Sequence, residues 1–117
     1  MPKVLPMLHV PDVPAAVAWY VDVAGFTLVA THEDDWAMLS FGESRIMFSE
    51  GGTPSDAWRR EVDLYVYVDD VDALYERLAD RVDVVEPPHD VIYGMREVII
   101  RDLNRFWITF GQPIETS

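Results

Sequence analysis

The strongest constraint on the fold is an internal repeat. Val10-x-Asp12-Val13-x-Ala15 returns 58 residues later as Val68-x-Asp70-Val71-x-Ala73. In both copies an alternating apolar run leads to an aspartate, and a helical pattern follows. An aspartate in that place caps a helix, because its carboxylate accepts a backbone N–H of the first turn. Three short alternating runs come after each helix, as strands separated by turn formers do. The chain therefore reads β-α-β-β-β twice. Its 117 residues suit one domain over 1–117, with module one about 3–50 and module two about 62–112.

The first strand is expected over residues 3–10, with Pro6 at an edge or where the ladder needs no N–H. The first helix carries Val13, Val17, Tyr20 and Val21 on one face, and Gly25 ends it. Strands follow over 26–32, 36–41 and 45–49, and a loop over 50–60 carries Trp58. The second copy opens with a strand over 62–68. Asp69 or Asp70 then caps a helix to about residue 79, with Val71, Leu74, Tyr75 and Leu78 inward. A short strand over 82–85, a loop over 86–93 containing Pro87 and Pro88, strands over 96–101 and 106–110, and a tail over 112–117 complete the chain. The expected class is α+β: two curved mixed sheets around a shared cleft, with one helix outside each. A ferredoxin-like sandwich is the alternative, and it would use only part of this strand count.

Composition narrows the function. There is no cysteine, which excludes disulfides, thiolate metal sites and a cysteine nucleophile. With 21 acidic and 9 basic residues, the formal net charge is -12. Binding to duplex nucleic acid needs a cationic footprint and is not expected. An acidic surface steers cationic partners toward it, although solubility or adaptation to salt also explains it. No apolar run approaches the ~18 residues of a membrane span. The N-terminus has no apolar signal-peptide core, so the expected location is the cytoplasm.

Strand alternation separates two faces. Leu64, Val66 and Val68 form an aliphatic set that belongs under a helix, as do Leu8 with Val10, Leu39 with Phe41, Ile46 with Phe48, and Ile108 with Phe110. The opposite face then holds Leu5, Met7 and His9 in module one, with Trp36, Met38 and Ser40, and Arg45, Met47 and Ser49. In module two it holds Asp63, Tyr65 and Tyr67, with Trp107 and Thr109. A face that is part aromatic, part thioether and part hydrogen-bonding suits a ligand pocket. The same residues could instead meet a second subunit.

Catalytic motifs are lacking. His32 lies by an acidic turn and His89 in the proline-rich loop, both expected to be exposed, and no histidine pair has metal-ligand spacing. Ser40 and Ser49 lack the Gly-x-Ser-x-Gly elbow. Gly51 and Gly52 are not followed by the Lys-Ser/Thr of a phosphate loop.

Three segments resemble one family. They are Leu5-Pro-Met-Leu-His-Val-Pro-Asp-Val-Pro-Ala-Ala-Val-Ala-Trp-Tyr20 with Gly25-Phe26, then Tyr67-Val-Asp-Asp-Val-Asp-Ala-Leu-Tyr75, then Tyr93-Gly-Met-Arg-Glu-Val-Ile-Ile-Arg-Asp102 through Thr109-Phe110-Gly111. They look like the two module openings and the closing hairpin of vicinal-oxygen-chelate proteins, the glyoxalase/bleomycin resistance protein/dioxygenase superfamily. The bleomycin-resistance branch is the most similar. Here Tyr93-Gly-Met-Arg-Glu97 carries one extra residue, Leu103 replaces a usual proline, and Asn104-Arg105 replaces a usual Asp-Gly turn. The resemblance implies paired βαβββ modules in a two-fold dimer. It also implies that the family's four metal-ligand positions fall on Leu5, Met47, Asp63 and Thr109. Only Asp63 among these is a charged ligand for a hard cation, so no metal, no cofactor and no catalytic residue is expected.

The resulting expectation is a metal-free, homodimeric binding protein of the antibiotic-resistance type. It would sequester a planar, cationic small molecule such as a bleomycin-class antibiotic in the dimer cleft. Trp36, Tyr65, Tyr67 and Trp107 would stack on the ligand or make cation–π contacts. Asp63 would pair with its charge, and His9, Ser49 and Thr109 would orient it, with Met38 and Met47 on the same face. Tyr93 and Trp58 would close from loops. Two alternatives stay open. One is a metal-dependent glyoxalase- or dioxygenase-like enzyme with atypical ligands, using His9, Glu97 or Asp63 if a strand is slipped by one residue. The other is an interaction domain with a vestigial pocket.

Overall fold

The aspartate caps of the repeat set the same local geometry twice. The computed structural model describes residues 4–52 and 62–114. Asp12 and Asp70 are both extended, with φ -142° and -147°, and each carboxylate accepts the N–H of the residue three on, Ala15 and Ala73, at 3.0 Å. These are helix N-caps in the ordinary sense. Contacts divide the chain into Met1–Ser55 and Asp56–Ser117.

The first unit runs β1 (Met7–Val10), α1 (Val13–Asp22), β2 (Thr27–His32), β3 (Trp36–Phe41) and β4 (Ser44–Glu50). Its sheet has the order β1-β4-β3-β2, with β1 parallel to β4 and the other pairs antiparallel. The second unit runs β5 (Asp63–Tyr67), α2 (Val71–Leu78), β6 (Asp83–Val91), β7 (Met95–Arg101) and β8 (Trp107–Pro113). Its sheet repeats the order as β5-β8-β7-β6, with β5 parallel to β8. The class is α+β, two four-stranded mixed sheets each covered by one helix. Among the described residues no helix is long and apolar enough to cross a membrane.

Each helix covers the aliphatic face of its own sheet. In the first unit Leu8, Val10, Ala37, Leu39, Ile46 and Phe48 are buried together with Val13, Ala16 and Tyr20 of α1. Tyr20 is fully buried, with its ring 4.9 Å from Phe48 and 5.2 Å from Phe26. The helix face is turned slightly from the expected stripe: Ala16 is buried, and Val17 and Val21 are only half-buried. The bulky Tyr20 takes the centre, and the small Ala16 fits beneath the turn before it. Gly25, with φ +84°, ends the segment, and the Phe26 N–H returns to the Tyr20 carbonyl at 2.9 Å. In the second unit Leu64, Val98, Ile100, Ile108 and Phe110 are buried with Val71, Leu74 and Leu78 of α2.

Several expected boundaries move. The first strand begins at Met7, after Pro6, whose carbonyl still accepts the Met47 N–H at 3.0 Å. The strand expected to stop at residue 85 continues to Val91, through Pro87 and Pro88. β6 is an edge strand, and its register slips between Val84 and Glu86 and again before His89. Edges and bulges are where a strand tolerates residues that cannot donate to a ladder. His89 is therefore a half-buried strand residue rather than an exposed loop residue. Gln112 is not in a tail. It lies in β8, and its side-chain carbonyl accepts the Val71 N–H at the start of α2.

Candidate functional site

In the first unit, register assembles the helix-free face into rows. Met7 pairs with Met47, and Met47 with Met38, so three thioether side chains sit side by side on three strands. The next row is His9, Ser49 and Trp36, with His32 beyond Trp36 on β2. His9 and Met7 are exposed, while Trp36, Met38, Met47 and Ser49 are half-buried. A shallow hollow opens here, lined by Asp35, Trp36, Ser49, Glu50 and Gly51. Gly52 lets the chain leave β4 against β1, since a Cβ there would lie 2.6 Å from the His9 carbonyl carbon. The Arg45 guanidinium approaches the Met38 sulfur at 3.7 Å. This surface is soft and adaptable, as thioethers are.

The helix-free face of the second unit is more ordered. Asp63 pairs with Trp107, and Trp107 with Arg101. Tyr65 pairs with Thr109, and Thr109 with Ile99. Tyr67 pairs with Gly111, Gly111 with Glu97, and Glu97 with His89. The Glu97 carboxylate is only 4% exposed. One of its oxygens, Oε2, accepts both the Tyr65 hydroxyl at 2.6 Å and the Tyr93 hydroxyl at 2.7 Å. Gly111 makes the first bond possible: any Cβ there would collide with the Tyr65 hydroxyl. Desolvation of its hydroxyl end, and then the bond to Glu97, hold the Tyr65 phenol well above the usual tyrosine range. The Glu97 bond does the same for Tyr93. Tyr67 is exposed, its ring 5.2 Å from that of Tyr65.

The face assignment places Asp63, Tyr65, Tyr67, Trp107 and Thr109 on one side of one sheet, and His9, Trp36, Met38, Met47 and Ser49 on one side of the other. Tyr93 sits in the β6–β7 turn and reaches Glu97. Trp58 lies outside the described residues. His32 is exposed at the end of β2, with its ring 3.3 Å from Asp35. Glu97 is the residue that the binding expectation overlooked. The alternation of Glu97, Ile99 and Arg101 against Val98 and Ile100 was the available signal, because it sends Glu97 away from the helix.

A sequence model of the Glyoxalase/Bleomycin resistance protein/Dioxygenase superfamily matches residues 5–110. The chain belongs to this superfamily. Its solved neighbours include TioX from Micromonospora sp. ML1, 27% identical, with 99% of each chain covered and a TM-score of 0.76. The bleomycin-binding protein of bleomycin-producing Streptomyces verticillus, solved with copper(II)-bleomycin, is 26% identical over 99% of this chain and 98% of that one, with a TM-score of 0.74. The fosfomycin resistance protein FosX from Listeria monocytogenes is 16% identical over 96% of this chain and 93% of that one, with a TM-score of 0.75, a likeness of fold alone. No functionally curated protein matches the chain.

Superfamily enzymes hold a divalent metal, and the residues at those places here do not fit one. Leu5 offers hydrocarbon, Met47 a thioether already in a row of methionines, Thr109 a neutral hydroxyl and Asp63 one exposed carboxylate. A hard cation needs several oxygen or imidazole donors. Among the described residues, the histidines and acids close enough to share an ion are His32, Glu33 and Asp35, all exposed where β2 turns into β3 and none of them at the four positions above.

Proposed function

We propose that this superfamily member binds a planar, cationic small molecule of the bleomycin class and leaves it chemically unchanged. The observation that carries the reading is the helix-free face of the second unit. There Tyr65, Tyr67 and Trp107 share one side of a sheet with Asp63 and a buried carboxylate. Aromatic faces attract cations through the ring quadrupole, most strongly where water is partly excluded. The net charge of -12 draws a cation in from a distance. The likeness to a bleomycin-binding protein at 26% identity over nearly the whole chain supports the same ligand class. Binding alone asks for no nucleophile and no metal, which suits a chain that carries Leu5 and Met47 in one unit, and Asp63 and Thr109 in the other, at the family's ligand positions.

The protein acts as a homodimer in this proposal. β2 is an edge strand with all six residues exposed, Leu28 and Val29 among them, and it carries no lysine, proline or acidic residue to discourage pairing. Light scattering should return about twice 13.4 kDa. A thermal-shift experiment tests the ligand. Metal-free bleomycin at ~100 times its Kd should add ~2.7 kcal/mol of stability, while Zn2+, Ni2+ or Mn2+ alone should add none. Stabilisation by the metals and not by bleomycin would overturn the reading in favour of a metal-dependent enzyme.

A further inference from the structure

We propose that Glu97 makes the corner formed by Tyr65 and Tyr93 a binding point for a cationic hydrogen-bond donor, an amidinium, guanidinium or ammonium group, and turns anions away. The inference deepens the reading above by saying which part of a ligand meets which residues.

Proton count sets the polarity of this corner. An ionised carboxylate can only accept hydrogen bonds, and a phenol carries one proton. Tyr65 and Tyr93 both direct that proton to the same oxygen of Glu97, at 2.6 and 2.7 Å. Neither hydroxyl has a proton left to offer. What remains for a ligand is phenolic lone pairs rather than protons, and the faces of exposed rings. Tyr65, Tyr67 and Tyr93 are 43%, 71% and 66% exposed, whereas Glu97 beneath them is 4% exposed. Charge-assisted bonds of this kind are the stronger class. They also make each phenol more electron-rich toward a visiting cation. The Tyr67 ring, tilted 57° to that of Tyr65, adds a second aromatic face.

The neighbouring groups reinforce the polarity. His89 is the register partner of Glu97, and its Nδ1 lies 2.8 Å from the Pro87 carbonyl. A carbonyl only accepts, so Nδ1 carries a proton that is directed to Pro87 and away from Glu97. Arg96 is held by Asp72 and Asp90, and Arg101 by Asp83. Their charges are thus matched by carboxylates. An anion at this corner would meet lone pairs above a buried negative charge.

Benzamidine and benzoate are the probes, because they are planar isosteres of opposite charge. Both are titrated at about pH 7, in low salt and again at about 0.5 M, where long-range attraction to the net charge is screened. Tyrosine ring resonances are followed by NMR, with Tyr65→Phe and Tyr93→Phe assigning the signals. Benzamidine is expected to bind about tenfold or more tighter than benzoate at both salt concentrations, moving the Tyr65 and Tyr93 signals. Glu97→Gln should reduce the preference to about threefold or less. Should Glu97→Gln fail to fold, Tyr93→Phe at its exposed turn should lower benzamidine affinity about threefold or more. Equal binding of the two probes, a preference that disappears at high salt, or a preference that survives Glu97→Gln and Tyr93→Phe would overturn the proposal. A protein that prefers benzamidine in this way yet ignores bleomycin would overturn the ligand class and keep the corner. One that binds bleomycin without the probe preference would do the reverse.

Discussion

The two units share a topology and hold it together by different means. The first relies on aromatic packing: Tyr20 lies within 5.2 Å, ring to ring, of Trp19, Phe26 and Phe48, and Phe26 in turn meets Phe41 at 4.9 Å. The second has a mostly aliphatic core, with Phe106 and Phe110 its buried aromatics, and adds polar ties. Arg96 grips Asp72 of α2 with two bonds of 2.9 Å and Asp90 of β6 with one of 2.8 Å. Gln112 caps α2, and the Asp102 carboxylate accepts the N–H groups of Asn104 and Phe106 to shape the β7–β8 turn. The helix-free faces differ in the same sense. The first offers thioethers and an indole that adapt to shape. The second offers phenols whose hydrogen-bond polarity is fixed by Glu97. One topology can thus present an adaptable surface and a selective one.

The largest effect should come from the aromatic core. Tyr20→Ala should cost ~3–5 kcal/mol in denaturant unfolding, because the ring is fully buried among aromatic neighbours. Ile108→Ala in the second unit should cost ~2–5 kcal/mol and change ligand affinity only indirectly. Trp107→Ala, one residue away but on the opposite face, should weaken bleomycin binding by ~1–3 kcal/mol and leave the fold intact. If the Trp107 change unfolds the protein and the Ile108 change does not, the two faces of β8 are exchanged.

Alkaline pH should separate the polar unit from the aromatic one. Tyr65 and Tyr93 have phenols raised above their unfolded value of ~10. Their contribution is complete below that pH and is lost as pH rises toward the folded values. Melting temperature should therefore fall more steeply above about pH 10 in the wild type than in Tyr65→Phe. A parallel fall in both would show that the Glu97 cluster does not support the fold. The smallest effect concerns the β7–β8 turn. Arg105 has φ +71°, a left-handed conformation that favours glycine. Arg105→Gly should stabilise the protein by about 0.5–1 kcal/mol, read by the same unfolding curves.

What was legible in the sequence was the periodic part. Asp12, and Asp69 or Asp70, announced two helix starts, and alternation in 64–68 and 107–110 separated the more buried side from the more exposed one, with Val66 and Val68 only half-buried where full burial was expected. Pro87 and Pro88 hid the length of β6, because proline marks a break unless the strand is a bulged edge, and edge position is a property of the sheet. Glu97 was hidden for a related reason. A lone glutamate in a strand reads as a solvated charge. Only the pairing of β7 with β8, and of β8 with β5, brings the Tyr65 hydroxyl across Gly111 to reach it. The loop-borne Tyr93 needs the β6–β7 turn to make the second bond. Such convergence depends on register between strands, which local pattern does not encode.

In the proposed function the second unit holds a planar cation without a metal. The most direct measurement is a tryptophan-fluorescence titration with metal-free bleomycin, run with and without EDTA, at low and high salt, on the wild type and Trp107→Ala. Saturable quenching is expected that is indifferent to EDTA, weaker at high salt and lost in large part in Trp107→Ala. Quenching that vanishes with EDTA and returns with a divalent metal, or a titration that Trp107→Ala leaves unchanged, would contradict it.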